Sequence, residues 1–160
     1  MKKLLIAGLV LFGISTISSA HAQGELRAGL GIGIPYGILG GNLEYRANEV
    51  IALTGGVGIN PAGLGWSVGA RIYMPGMGNF KPRLTALHGV VAILETRYWG
   101  GDSDYESLTG EAFGIGFGWT MSSGYTLEFD LLSVNADTPP GTIEKGGSVK
   151  ISIGVSTSFN

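Results

Sequence analysis

Nine charged side chains recur at alternate positions among small residues, and they are the first candidates for chemistry. They are Arg27, Glu44, Arg46, Arg71, Glu95, Arg97, Glu128, Asp130 and Lys150. Five are cationic and four anionic. A charge facing a narrow interior needs a partner. The near-balance therefore predicts an internal ion-pair network, with Arg27, Glu44, Arg46, Arg71 and Glu128 toward one end and Glu95, Arg97 and Lys150 toward the other. The same side chains could instead line a narrow path for small ions.

Other chemistry has weaker support. His88 could act as an acid or base, but a triad needs a nucleophile and an orienting acid near it. Its neighbours are Leu87 and Gly89, with no serine beside it. No catalytic residue is expected. Asp102-Ser103-Asp104-Tyr105-Glu106 brings alternate carboxylates together, as calcium loops do. It lacks the glycine and distal glutamate of an EF-hand, so it reads as a solvated loop and no metal is expected. The glycines of Gly29-x-Gly31-x-Gly33 and Gly114-x-Gly116-x-Gly118 lie at strand spacing. They read as fillers of a tight interior, not as phosphate loops, and no cofactor is expected.

Strands must position these groups. Period-two alternation dominates the chain. Val149, Ile151, Ile153, Val155, Thr157 and Phe159 share one face, against Lys150, Ser152, Gly154, Ser156 and Ser158. Phe113, Ile115, Phe117, Trp119 and Met121 oppose Ala112, Gly114, Gly116, Gly118 and Thr120. Beyond residue 22 the longest uncharged stretch, 50–70, carries six glycines and an Asn60-Pro61 step. At ~1 kcal/mol per glycine and ~3 for proline it is a poor helix, so it splits into two strands. Eight strands are predicted, at about 25–35, 38–46, 49–59, 63–74, 83–98, 106–121, 123–134 and 147–159. The run Leu84–Tyr98 is apolar on both faces in its middle, and its register is the least defined.

Composition narrows the class. The chain has 160 residues, 44% hydrophobic and only 14% charged, with 29 glycines and no cysteine. Low charge with high apolar content is not the signature of disorder. Without cysteine there is no disulfide scaffold, cysteine-ligated metal or thiol chemistry. Residues 1–22 carry Lys2 and Lys3, a short apolar run from Leu4 to Phe12, and a small-x-small ending at Ala20-His21-Ala22. That is the pattern of a secretory signal peptide, which predicts a mature domain from Gln23 to Asn160. That domain keeps eight basic and twelve acidic residues. It has no basic patch to follow a phosphate backbone, so nucleic acid is not an expected partner.

The apolar face decides the architecture. In a soluble sandwich it would point inward, and the other face would be a polar solvent coat. Here the other face is glycine, serine and alanine with isolated charges, which suits a narrow lumen. A membrane barrel inverts the pattern, with apolar residues toward lipid and small or polar ones inside. The fold class expected is therefore all-β: an eight-stranded antiparallel up-and-down transmembrane β-barrel in the cell outer membrane, with outer-membrane lipid around it. At ~9–11 residues per spanning strand, a sixteen-stranded porin does not fit the chain. An even strand number puts both termini at one end. Tyr45, Trp119, Tyr125 and Phe159 then fall at that end, and Tyr36, Trp66, Tyr98 and Trp99 at the other. These would be two girdles of interface aromatics.

In this strand number and alternation the chain resembles the small eight-stranded outer-membrane barrels of the OmpA-transmembrane and OmpX kind. The resemblance is architectural and covers the mature chain. The closing row Val149, Ile151, Ile153, Val155, Thr157 and Phe159 looks like the C-terminal signal read by the barrel assembly machinery, which is thereby implied as a partner during biogenesis. Relatives usually end on the aromatic, whereas here Asn160 follows it. The function expected is structural, or surface interaction through extracellular loops with a partner not named by the sequence, around a plugged polar lumen. A barrel or lipocalin-like cup holding a small hydrophobic ligand is the alternative. A narrow pore or a lipid-modifying enzyme ranks behind both.

Overall fold

The computed structural model describes residues 24–75, 77–97, 103–136 and 149–159. They form a closed barrel of eight antiparallel strands in sequence order. The strands are β1 (Glu25–Gly33), β2 (Ile38–Arg46), β3 (Ile51–Asn60), β4 (Gly63–Tyr73), β5 (Phe80–Arg97), β6 (Ser103–Thr120), β7 (Tyr125–Ala136) and β8 (Val149–Phe159). β8 closes on β1, with Leu26 opposite Phe159 and Ile32 opposite Ile153. Paired residues run Leu26, Tyr45, Leu53, Ala70, Ala86, Phe113, Ser133, Val149 around the wall. That row climbs from the start of β1 to the opposite end of β8, so the strands are tilted, as closure requires.

Alternation sorts the side chains as the sequence predicts for a barrel. Leu30, Ile59, Leu64, Ile115 and Ile153 are 59–72% exposed on the outer wall. Arg27, Glu44, Arg71, Asp130 and Ser152 are buried inside. Short turns are held by local hydrogen bonds. Asn48 Oδ1 accepts from the amides of Val50 and Ile51, both at 2.8 Å. Gly124 donates its amide to the Met121 carbonyl at 3.0 Å.

Three elements depart from the expected bounds. β1 stops at Gly33, and Ile34–Tyr36 form a 3-10 turn, all three residues buried. β5 begins at Phe80, so the turn after Met74 is shorter than expected. The acidic segment is not all loop, because Ser103, Asp104, Tyr105 and Glu106 are the first residues of β6. Asp102 lies outside the described residues. So do the expected signal peptide 1–22, Tyr98, Trp99, Asn160 and most of the segment after Asn135.

Candidate functional site

The lumen has two layers. Near the end where β1 begins and β8 finishes, β1, β2, β4, β5, β7 and β8 point polar groups at one another. Arg71, 0% exposed, is central. Its Nη1 donates to Glu44 Oε2 at 2.6 Å and lies 3.2 Å from Glu128 Oε2. Arg83 donates Nε to Asp130 Oδ1 at 3.0 Å and Nη2 to Asp130 Oδ2 at 2.6 Å. The same Nη2 lies 3.0 Å from Glu128 Oε2. Tyr73 donates to the Glu44 carboxylate at 2.8 Å. Arg46 donates to Glu44 Oε1 at 2.9 Å and stacks 4.1 Å above the Tyr73 ring. Arg27 donates to Thr126 and forms an ion pair with Glu25 at 3.2 Å. Each buried carboxylate thus meets at least one guanidinium, which is the condition for keeping such charges out of water.

Toward the other end the lumen holds an apolar cluster, with Lys150 beside it. Ile34, Leu87, Val91, Ala112 and Leu132 form a buried cluster, with Val134 and Ala136 packed on it. The Tyr36 ring lies between the two layers, 0% exposed, and donates its hydroxyl to Glu128 Oε2 at 3.3 Å. Its seat is made of missing side chains. A Cβ at Gly154 would run into the Tyr36 hydroxyl, and one at Gly31 would meet the ring at 2.6 Å. Gly37 leaves the turn at φ 64°, a conformation open to glycine. Ile38 follows at φ 89°, which a β-branched residue adopts only under strain.

Six of the nine sequence-selected charges therefore meet in one network: Arg27, Glu44, Arg46, Arg71, Glu128 and Asp130. Lys150 is half-buried beside Leu132, away from them. Glu95 is a correction. It is exposed, and Ser103 Oγ donates to it at 3.1 Å. A bulge between Val90 and Ala92 shifts the β5–β6 register. One extra residue exchanges the faces of everything beyond it, so Glu95 pairs with Tyr105 in outward phase. Arg97 pairs by backbone with Ser103, and its side chain lies outside the described residues.

Arg83 was missed. It sits at the start of the ill-defined run, and its signal was its odd-numbered phase with Thr85 and Leu87, both buried. Tyr36 is also corrected, from a girdle aromatic to a lumen residue. Tyr45, Trp66, Trp119 and Tyr125 do lie on the outer wall, as do Val149, Ile151, Ile153, Val155 and Phe159. His88 points outward, edge-on to Trp66 with the two ring centroids 5.8 Å apart.

Closed eight-strand topology, with the chain crossing neighbour to neighbour, is shared with a solved protein. The crystal structure of the N-terminal beta-barrel domain of Pseudomonas aeruginosa OprF superposes with a TM-score of 0.55, covering 86% of this chain and all of that one at 16% identity. The fold is that of the OprF barrel. No protein-family model matches the chain, and no curated protein matches it. At 16% identity the likeness to OprF is one of fold.

Proposed function

We propose that the chain is an integral outer-membrane barrel whose lumen is filled and non-conducting, and which acts without catalysis, as a wall component and through the surface at the end away from its termini. The observation that carries this reading is the inversion of polarity. Large apolar side chains cover the outer wall while paired arginines and carboxylates are buried within. Lipid is the solvent that makes such a surface stable, since a closed barrel leaves no backbone group unpaired in hydrocarbon. The OprF-like fold is consistent with that placement.

Two features support the finer points. The charged layer, the Tyr36 ring and the apolar cluster stack along the barrel axis, which favours a filled lumen over a pore. A cup for a hydrophobic ligand would instead present apolar walls around open space. At the far end, β5 and β6 stay paired out to Arg97 and Ser103, whereas β4 pairing with β5 ends at Ser67–Gly89. A projecting hairpin presents Asp104, Tyr105 and Glu106, all exposed, as a surface for a partner. Planar-bilayer recording tests the filled lumen: the refolded protein is expected to add no stepwise conductance, and regular open-channel steps would overturn it.

A further inference from the structure

The β1–β2 ladder closes on the pair Gly33–Ile38. Residues 34–37, between them, belong to no strand pair, so the turn is free to change position without breaking a rung of the barrel. Yet it lies inside, with Ile34, Pro35 and Tyr36 all buried.

The wall is cut to receive it. A Cβ at Gly56 on β3 would strike the Pro35 carbonyl, one at Gly58 the Tyr36 carbonyl, and one at Gly65 on β4 the Gly37 carbonyl. Gly31 and Gly154 leave the same kind of room for the Tyr36 ring. These contacts set turn atoms against missing side chains, which fits a shape without fastening it. The polar tie at the tip, from the Tyr36 hydroxyl to Glu128 Oε2, is long at 3.3 Å.

Two costs oppose the inward position. Ile38 is held at φ 89°, a strained conformation for a β-branched residue. Ser67 Oγ and Ser152 Oγ are buried beside the turn with no hydrogen-bond partner among the described residues. Ser67 is the register partner of Gly56, and a Cβ at Gly33 would meet the Ser152 hydroxyl. Burying a hydroxyl without a partner is unfavourable.

We propose that the turn 34–37 is a hinged plug, which swings out of the lumen about Gly33 and Gly37–Ile38 while the barrel stays folded. The inward state keeps Ile34 and the Tyr36 ring buried. The outward state releases the Ile38 backbone and lets water reach Ser67, Ser152 and Glu128. Opposed terms of this kind leave a minor state populated at about 0.1–10%. The movement opens a vestibule from the β1–β2 turn down to the charged layer. That layer stays shut, because Arg71 pairs with Glu44 and Arg83 with Asp130 independently of the turn. The inference rests on the filled lumen proposed above.

The test uses single thiols, since the chain has no cysteine. Pro35→Cys marks the plug. Tyr105→Cys marks an exposed site on β6, and Ala52→Cys, at a position 0% exposed, the wall of the charged layer. The refolded protein in detergent is treated with a water-soluble maleimide. Pro35→Cys is expected to react about ten- to a thousandfold more slowly than Tyr105→Cys. It should react at least ~10-fold faster than Ala52→Cys, which waits for the wall itself to open. Adding Ile38→Gly should lower the ratio of the rate at 35 to that at 52 about fivefold by removing the strain. Adding Gly56→Ala should raise the ratio by crowding the seat. Equal rates at 35 and 52, or a ratio unmoved by Ile38→Gly or by Gly56→Ala, overturns the hinged plug and leaves the filled lumen standing. Reaction at 35 as fast as at 105 overturns the filled lumen and the plug together.

Discussion

Arg83 reaches Asp130 across an intervening strand. Gly116 on β6 is paired with Arg83 on one side and with Asp130 on the other. Because position 116 has no side chain, the guanidinium passes over it to make its two bonds, 3.0 and 2.6 Å long. A Cβ at Gly116 would collide with Asp130 Oδ1. Serine at that position does not fit the pair.

The first prediction follows from this geometry. Arg83→Met leaves Asp130 and much of Glu128 buried beside less positive charge. Removing one partner of a buried pair costs about 3–5 kcal/mol. Urea unfolding of the refolded barrel should show a loss of that order, and Arg83→Met with Asp130→Asn should recover part of it. A single variant as stable as the parent would mean that the pair lies in water.

Gly116→Ala provides a smaller perturbation of the same contact. It should destabilise the barrel although alanine normally favours ordered structure over glycine. Unchanged unfolding midpoints would contradict the reach across β6.

The Tyr36 seat gives two opposed expectations. Tyr36→Ala empties a buried ring site, for which large-to-alanine core changes cost about 3–5 kcal/mol. Ile38→Gly relieves a left-handed φ whose strain is of order 1–3 kcal/mol. Melting in detergent should fall for the first and hold or rise for the second. If Ile38→Gly is the more damaging of the two, the inward turn is misplaced.

Assembly is tested at the C-terminus. Phe159 ends the outward row of β8 and pairs with Leu26. Phe159→Ala should reduce the amount of folded protein in the membrane, whereas Asn160→Ala should not. Equal yields would remove Phe159 from the recognition signal.

Much of the barrel was legible because its wall has a solvent on one side and packing on the other. β2, β3, β4, β7 and β8 each keep one phase from end to end, so alternation located them within two residues. β5 does not. Its bulge at Val90–Ala92 reverses the phase, and nothing in Gly89-Val90-Val91 distinguishes an apolar bulge from a straight apolar strand. Glu95 was lost to that reversal. Arg83 was overlooked at the edge of the same run. Tyr36 failed for another reason: an aromatic at a strand end looks like a girdle residue whether the chain turns outward or inward. The available signal was the glycine at positions 31, 40, 56, 58 and 154, since a lumen emptied of side chains needs something to fill it.

Whether lipid surrounds the outer wall is decided most directly on β8. Ile153 is 59% exposed outside, and its neighbour Ser152 is 1% exposed inside. The chain has no cysteine, so Ile153→Cys and Ser152→Cys each carry one thiol. In reconstituted vesicles, a thiol probe confined to the hydrocarbon should label position 153 and spare position 152. Ready labelling of position 153 by a water-soluble maleimide, with no reaction from the hydrocarbon probe, would contradict the membrane barrel.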